Sequence, residues 1–527
     1  MLTPPPLPRT TVGVAAALLV ALSGLLAQEQ VALSGPAAAP AGEAGSDAVS
    51  ELLAAGEQAL LAEDPVRSWR AFQAAAVTAR EHPGSQVGLG RSHLLLGRAA
   101  EAIAYADCVL LTDPGHQLAM ALAVRARIRA REFEPARLSA ERFVARCANP
   151  SAELLAAQGS ALFRVQRTDE AAAVYRDVLR RDPLHAEAHL RLGSGLSAPC
   201  TVTIDAATER AVAAMRAGRL VDAIAALRRV LAADGANPVA HRLLGEALLQ
   251  QQALASMALR DPAFLALRAR WPVPDTATLP IAEFVPGYRE LDGDRRAVVD
   301  RAMALFGSRL QKLLVIGGRH DLLLETERTT DADARASLRG RRTFDGRVWD
   351  DVRGIGGLKA ATGIEALDEA AQFGFDTLVH EIAHQVHYFG LRPVDRARIT
   401  ALYRKAIREG RCLDYYAATN EAEYFGQGVE AFASLCKRPG GETTHGHTRF
   451  ELYRTDPELH DFIQGIVDRD PLQGPERVDL LRAAIAVALR CGRPDDAVAA
   501  ASMLPQGAER EQLLRAAEDA ATAARSH

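Results

Sequence analysis

The sequence predicts a mainly α-helical chain in three parts: a helical-repeat solenoid, a mixed α+β domain and a closing helical hairpin. Three observations carry this expectation. The hydrophobic fraction is 48% with only 5% aromatics, an Ala- and Leu-dominated composition that favours helices over a strand-rich sandwich. Amphipathic stretches that close on Asp-Pro or Asn-Pro recur between residues 51 and 250. From Trp271 to about Pro471 the repetition ceases and short strand-like runs appear. At 527 residues the chain also exceeds what one hydrophobic core usually supports.

Charge narrows the partners. The 62 Lys and Arg nearly balance 66 Asp and Glu, and no basic patch stands out to track phosphates, so nucleic acid is not the expected partner. At the N-terminus Arg9 precedes an apolar run from Val12 to Leu22, followed by Ser23-Gly24 and Leu25-Leu26-Ala27. That run is shorter than the roughly 20 residues that cross a bilayer, and it reads as a signal peptide over 1–27, cut after Ala27. The expected protein is exported to the periplasm or beyond the cell, with no stable membrane span after cleavage; left uncleaved, the segment becomes a membrane anchor. Residues 28–50, rich in Ala, Gly, Pro and Ser, read as a linker.

The repeats span 51–270. Pro114, Pro150 and Pro183 are spaced 36 and 33 residues apart, a period near 34. Leu89-Gly90 falls 24 residues before Pro114 and Gly159 24 before Pro183, with Ala171 and Tyr175 twelve and eight before the latter; Leu192-Gly193 and Leu244-Gly245 open further units, and Ser197 to Ala206 interrupts the register. At the other end, 472–527, Val478 to Leu489, a turn at Cys491 to Pro494, and Asp495 to Met503 read as one more helical hairpin, placed against the middle domain. These units resemble the tetratricopeptide repeat. The resemblance implies a stacked array with a concave surface, which serves either as a docking platform for a protein partner or as a wall for its neighbour.

The middle segment, 271–471, carries the chemistry. Strand-like runs are expected at Leu313 to Ile316, Leu322 to Glu327 and Arg347 to Val352. Phe375 to His387 reads as a buried helix stopped at Gly390, and it holds the pattern His380-Glu381-Ile382-Ala383-His384. On a helical pitch His380 and His384 share one face, as two imidazoles holding one Zn2+ require, while Glu381 is turned by roughly 100° toward a water at the metal. Chance supplies the pattern in roughly 0.02 of chains with this composition. His387, one turn on, is expected to pack. Downstream, Tyr415 to Phe425 opens a second helix running to about Leu435, and it brings Glu423 back toward the first.

His380-Glu381-Ile382-Ala383-His384 followed by Tyr416-Ala417-Ala418-Thr419-Asn420-Glu421-Ala422-Glu423-Tyr424-Phe425 resembles the catalytic domain of anthrax-toxin lethal factor and the related gluzincin zinc metallopeptidases. The resemblance is close from His380 to Phe425 and loose over 280–470. It implies a zincin-like α+β domain, Glu423 as third zinc ligand beside His380 and His384, Glu381 as general base, and Tyr416 as donor to the oxyanion. It therefore implies hydrolysis of a peptide or protein substrate; a non-catalytic scaffold with a vestigial site, or hydrolysis of a non-peptide amide, are the alternatives. If Glu423 is not a ligand, Glu421 is the first substitute. Where the family tends to carry Ala-Glu after the Phe, this chain has Gly426-Gln427, which can hydrogen-bond but not carry charge.

Four further residues, Arg353, Gly354, Gly356 and Gly357, belong to a run that starts at Arg347 and is a candidate edge strand for binding an extended substrate. His445 and His447 fall in a Gly/Thr loop expected to be solvated, and Arg339 to Arg342 read as an exposed loop. Six cysteines are scattered without metal-type spacing; Cys412 and Cys436 flank the segment with Glu423 and either pair or remain free thiols.

Overall fold

The computed structural model describes residues 43–79, 82–256, 261–439 and 446–526, with the side chains of 43–46, 253–256 and 526 left aside. The expected signal peptide, most of the linker and His445 lie outside these residues. Two units are distinguished, 1–50 and 51–527, and apart from the start of helix Glu43–Leu61 everything below concerns the second. The linker expectation ended late: helix Glu43–Leu61 begins inside it. No helix among the described residues is long and apolar enough to cross a membrane.

The first half is a run of helical hairpins. Pro65–Thr78, Pro83–Leu95, Ala99–Thr112, Gln117–Arg129, Phe133–Arg146, Ala152–Arg164 and Thr168–Arg181 each pack on their sequence neighbours. The turn inside each hairpin passes through a left-handed residue: Glu63, Gly97, Arg131, Gln166 and Gly218, with Gly492 in the tail. The first four are spaced 34, 34 and 35 residues, so the period is written in backbone geometry as well as in composition. Helix starts are capped from the same register, with His116 Nδ1 accepting from the Ala119 amide and Ser151 Oγ from the Leu154 amide.

The interruption after Ser197 has a structural cause. Helix Ala186–Arg191 and its continuation to Leu196 lack a following partner; instead they pack on Pro238–Ser256, while Ala206–Arg216 and Leu220–Ala233 form the hairpin between. The joint is nearly self-matching. Gly193 lies against the Arg242 backbone and Gly245 against Leu190, each so close that an added Cβ would come within 2.3 and 2.6 Å of its neighbour. The equivalent His189 and His241 meet with their Nδ1 atoms 2.8 Å apart, and their Nε2 atoms lie 3.1 Å from the Pro183 and Gly235 carbonyls.

The middle segment is helical around one small sheet whose three strands fall mostly elsewhere than expected, with only Leu322 and Leu323 of the expected runs lying in one. Strands β1 (Arg319–Leu323), β2 (Gly354–Ile355) and β3 (Lys359–Gly363) lie in the order β1-β3-β2, with β1 parallel and β2 antiparallel to β3. Leu313 to Ile316 is not a strand; it ends helix Gly307–Val315, where Leu310 and Leu313 are buried at helical spacing and Val315 is exposed. Arg347 to Val352 is a short 3-10 turn at Trp349–Asp351 rather than a strand. The core joins Leu378, Ile382 and Val386 to Phe425, Val429 and Phe432 and to Met303, Phe306 and Leu310. In the tail, Arg477–Arg490, Pro494–Ser502 and a third helix, Ala508–Ser526, follow one another. Its apolar face shares a core with Phe264, Phe373, Leu435 and Phe450. All six cysteines are free, including Cys412 and Cys436.

Candidate metal centre

Helix Thr377–Gln385 starts where Asp376 Oδ1 accepts from the Val379 amide, and it buries Leu378, Ile382 and Ala383 in the core. That leaves His380 and His384 on the opposite face, still nearly enclosed. Its end is anchored to the sheet by the residue after His384. Gln385 donates to the Arg319 and Leu358 carbonyls and faces His320, which in turn reaches Thr362 on β3. Nothing in the local sequence marked Gln385 or His320, because their partners are up to 66 residues away.

Helix Glu421–Ala433 supplies the third group. Its N-cap Asn420 accepts from the Ala422 and Glu423 amides, so the first turn is fixed and Glu423 points back along it. Tyr415 to Thr419, expected to open this helix, forms a separate turn before it. Gly426 allows the two helices to meet: a Cβ there would stand 2.9 Å from His380 Cε1 and 3.0 Å from His384 Cε1.

The three groups converge. His384 Nε2 lies 3.0 Å from His380 Nε2, and Glu423 Oε2 lies 3.1 Å from the first imidazole and 3.4 Å from the second. Ligands held at about 2.0–2.1 Å in a tetrahedron sit roughly 3.4 Å apart, so this donor set fits one zinc ion. Among the described residues it is the group of His, Cys, Asp and Glu whose ligand atoms so cluster. Glu421 is engaged elsewhere, its Oε2 accepting from Thr400 Oγ1 at 2.8 Å. Burial works to raise the Glu423 carboxyl, but both imidazoles outweigh it and hold the group well below the carboxylate range. Burial works to lower His384, and Glu423 and Glu381 reverse the sign. His387 packs by Phe425 and Tyr388, and burial pushes it down to about 4.

Glu381 is buried beside this group, and its Oε2 has no hydrogen-bond partner among the described residues. Burial raises its pKa. Strand β2 runs across it: a Cβ on Gly354 would meet Glu381 Oε1 at 2.8 Å, and one on Gly356 would meet Glu381 Oε2 and His384 at 3.2 Å. Gly357 holds a positive φ of 109° over open space. Arg353, the remaining candidate of the expected substrate strand, is turned to neighbouring protein groups. Its guanidinium is committed to Glu365 and to the carbonyls of Leu323, Leu324 and Glu327.

Tyr416 completes the surroundings, its ring 6.5 Å from that of His380. Burial raises the phenol pKa strongly, the Glu423 charge adds to it, and Arg347 opposes. The loop beyond is less solvated than expected. His447 is buried, 3.0 Å from Asp414 and 3.2 Å from Glu451. Burial alone would lower its pKa, but the two carboxylates push it up to about 9. Asp414 Oδ1 also accepts from the Ala417 amide at 2.6 Å, so this ion pair fixes the turn that carries Tyr416. Gln427 is buried in the same helix as Glu423, and Arg339 to Arg342 are exposed as expected.

No curated protein matches the chain. A tetratricopeptide repeat family model matches residues 156–194 and 208–256, on either side of the break at Ser197, and the chain carries repeats of that family in its N-terminal half.

Proposed function

We propose that residues 271–471 form a zinc-dependent, gluzincin-type metallopeptidase, exported with the repeats that precede it. The observation that carries this reading is the convergence of His380 Nε2, His384 Nε2 and Glu423 Oε2 beside an unpartnered, buried Glu381 carboxylate oxygen. His380, His384 and Glu423 would hold the ion, which supplies Lewis acidity there. Glu381 is the general base: its raised pKa keeps it a usable acceptor for the proton of an attacking water, and it returns that proton to the departing amine. Tyr416, kept protonated by burial and by Glu423, donates to the developing oxyanion. Among the described residues strand β2 is paired with β3 alone, so its second edge is open to an extended peptide passing over Glu381.

The test is a digest of a diverse peptide mixture by the chain from Gln28, read by mass spectrometry beside Glu381→Gln. Cleavage by the wild type, lowered by about 10³-fold or more in the variant at equal zinc content, supports the reading. Cleavage at equal rates removes Glu381 as base. A second reading, favoured by the tetratricopeptide match, is a protein-interaction scaffold in which the repeats bind a partner; zinc binding with no cleavage by either form supports it instead.

A further inference from the structure

The solenoid touches the middle segment where the catalytic reading places its oxyanion donor. The left-handed turn residue Arg131, a non-glycine at this position like Glu63 and Gln166, donates from its guanidinium to the Leu413 carbonyl at 2.9 Å. Two residues on, Phe133 meets the Tyr415 ring edge-on at 5.0 Å. From the next hairpin, Arg164 donates to the Tyr415 hydroxyl and stands 5.6 Å from the centre of its ring. Tyr415 in turn sets its ring against that of Tyr416, 6.3 Å away at 77°. A second set of contacts runs parallel to this one. Thr168 donates to the Gly346 carbonyl, and Gly195, at a φ of 90°, accepts from the Val348 amide at 2.7 Å. These fix the turn holding Asp345 and Arg347, whose charges act on Tyr416.

We infer that the repeats are a built-in part of the catalytic centre rather than a free docking module: Arg131, Phe133 and Arg164 are positioning residues that hold Tyr416 in place through Leu413 and Tyr415. Arg131, Phe133 and Arg164 lie in or beside the turns at the ends of the paired helices, the rim of the array, and the hydrogen bonds of Arg131 and Arg164 join residues more than 250 positions apart in sequence. The inference rests on the peptidase reading for its catalytic meaning, while its mechanical content stands apart from it.

Two measurements on the full chain test it. The first needs neither metal nor substrate: amide hydrogen exchange over 413–418 in Arg164→Ala and in the milder Tyr415→Phe. Exchange at least tenfold faster there, with 377–385 unchanged, is expected; unchanged exchange over 413–418 in both variants overturns the inference. The second is kinetic. Arg164→Ala should lower kcat about tenfold with KM and zinc content unchanged, and the loss should vanish in a Tyr416→Phe background, because the group being positioned is gone. A loss that persists undiminished in that background overturns the positioning role. A wild type with no Glu381-dependent cleavage removes the peptidase reading alone, and the exchange measurement still decides whether the solenoid holds the loop.

Discussion

The solenoid and the middle segment are both helical, yet they are held together differently. Between Val87 and Leu196 the buried side chains are chiefly Ala, Leu and Val from helices adjacent in sequence. The middle segment buries charge: Lys437 on Glu430, Arg449 on Asp470 and Arg328 on Asp351 are each almost fully enclosed. Local packing of small residues makes each repeat depend on its neighbours alone. Buried ion pairs do the opposite, since each closes a contact between separate elements and leaves an uncompensated charge when one member is lost. The difference teaches what ties the candidate centre together: through Glu430, the buried Lys437 pair joins the helix that carries Glu423 to the start of the one that carries His380 and His384.

The sharpest way to break the contrast is Lys437→Met. Lys437 Nζ donates to Glu430 and to the Gly374 carbonyl, and Glu430 also accepts from the Asp376 amide that begins the histidine helix. Removing the ammonium should cost about 3–5 kcal/mol in urea unfolding; a loss under 1 kcal/mol would erase the distinction drawn between the two regions. Next comes His447. Its pKa is raised to about 9 in the fold from about 6.5 when unfolded. The stability it contributes is full below pH 6.5 and is lost as the pH climbs through 9, about 3 kcal/mol in all. Denaturation at pH 6 and pH 9.5 should show that decline, and His447→Gln should flatten it. The smallest effect belongs to the solenoid. Ser151→Ala removes one cap from one helix and should cost about 1 kcal/mol, seen as a few degrees in Tm with zinc content unaltered.

What was legible in the sequence follows the same division. Repeat period, hairpin turns and the tail were readable because their causes lie within one helical pitch or one loop of the residues concerned. Of the residues brought together at the candidate centre, His380, Glu381 and His384 were readable from spacing on one helix, whereas the roles of Glu423 and Tyr416 came only from the resemblance to gluzincins, and Tyr416 stands on a turn rather than on the second helix. What depends on distant partners was not. Arg353 is held by Glu365 and three carbonyls, and His447 is enclosed by Asp414 and Glu451 from outside its own loop. Leu313 to Ile316 misled for a different reason: a short apolar run has no period of its own, and burial at Leu310 and Leu313 decides for a helix.

The joint between Ala186–Leu196 and Pro238–Ser256 has a consequence for how long such an array can become. Equivalent helices meet there face to face, Gly193 and Gly245 in matching places and His189 against His241, so one surface is used twice. An open-ended solenoid offers at each end a face that the next unit fits, and it can grow by duplication. A contact that matches itself consumes both faces at once and offers nothing further. At this joint the array is self-terminating, closed by its own symmetry.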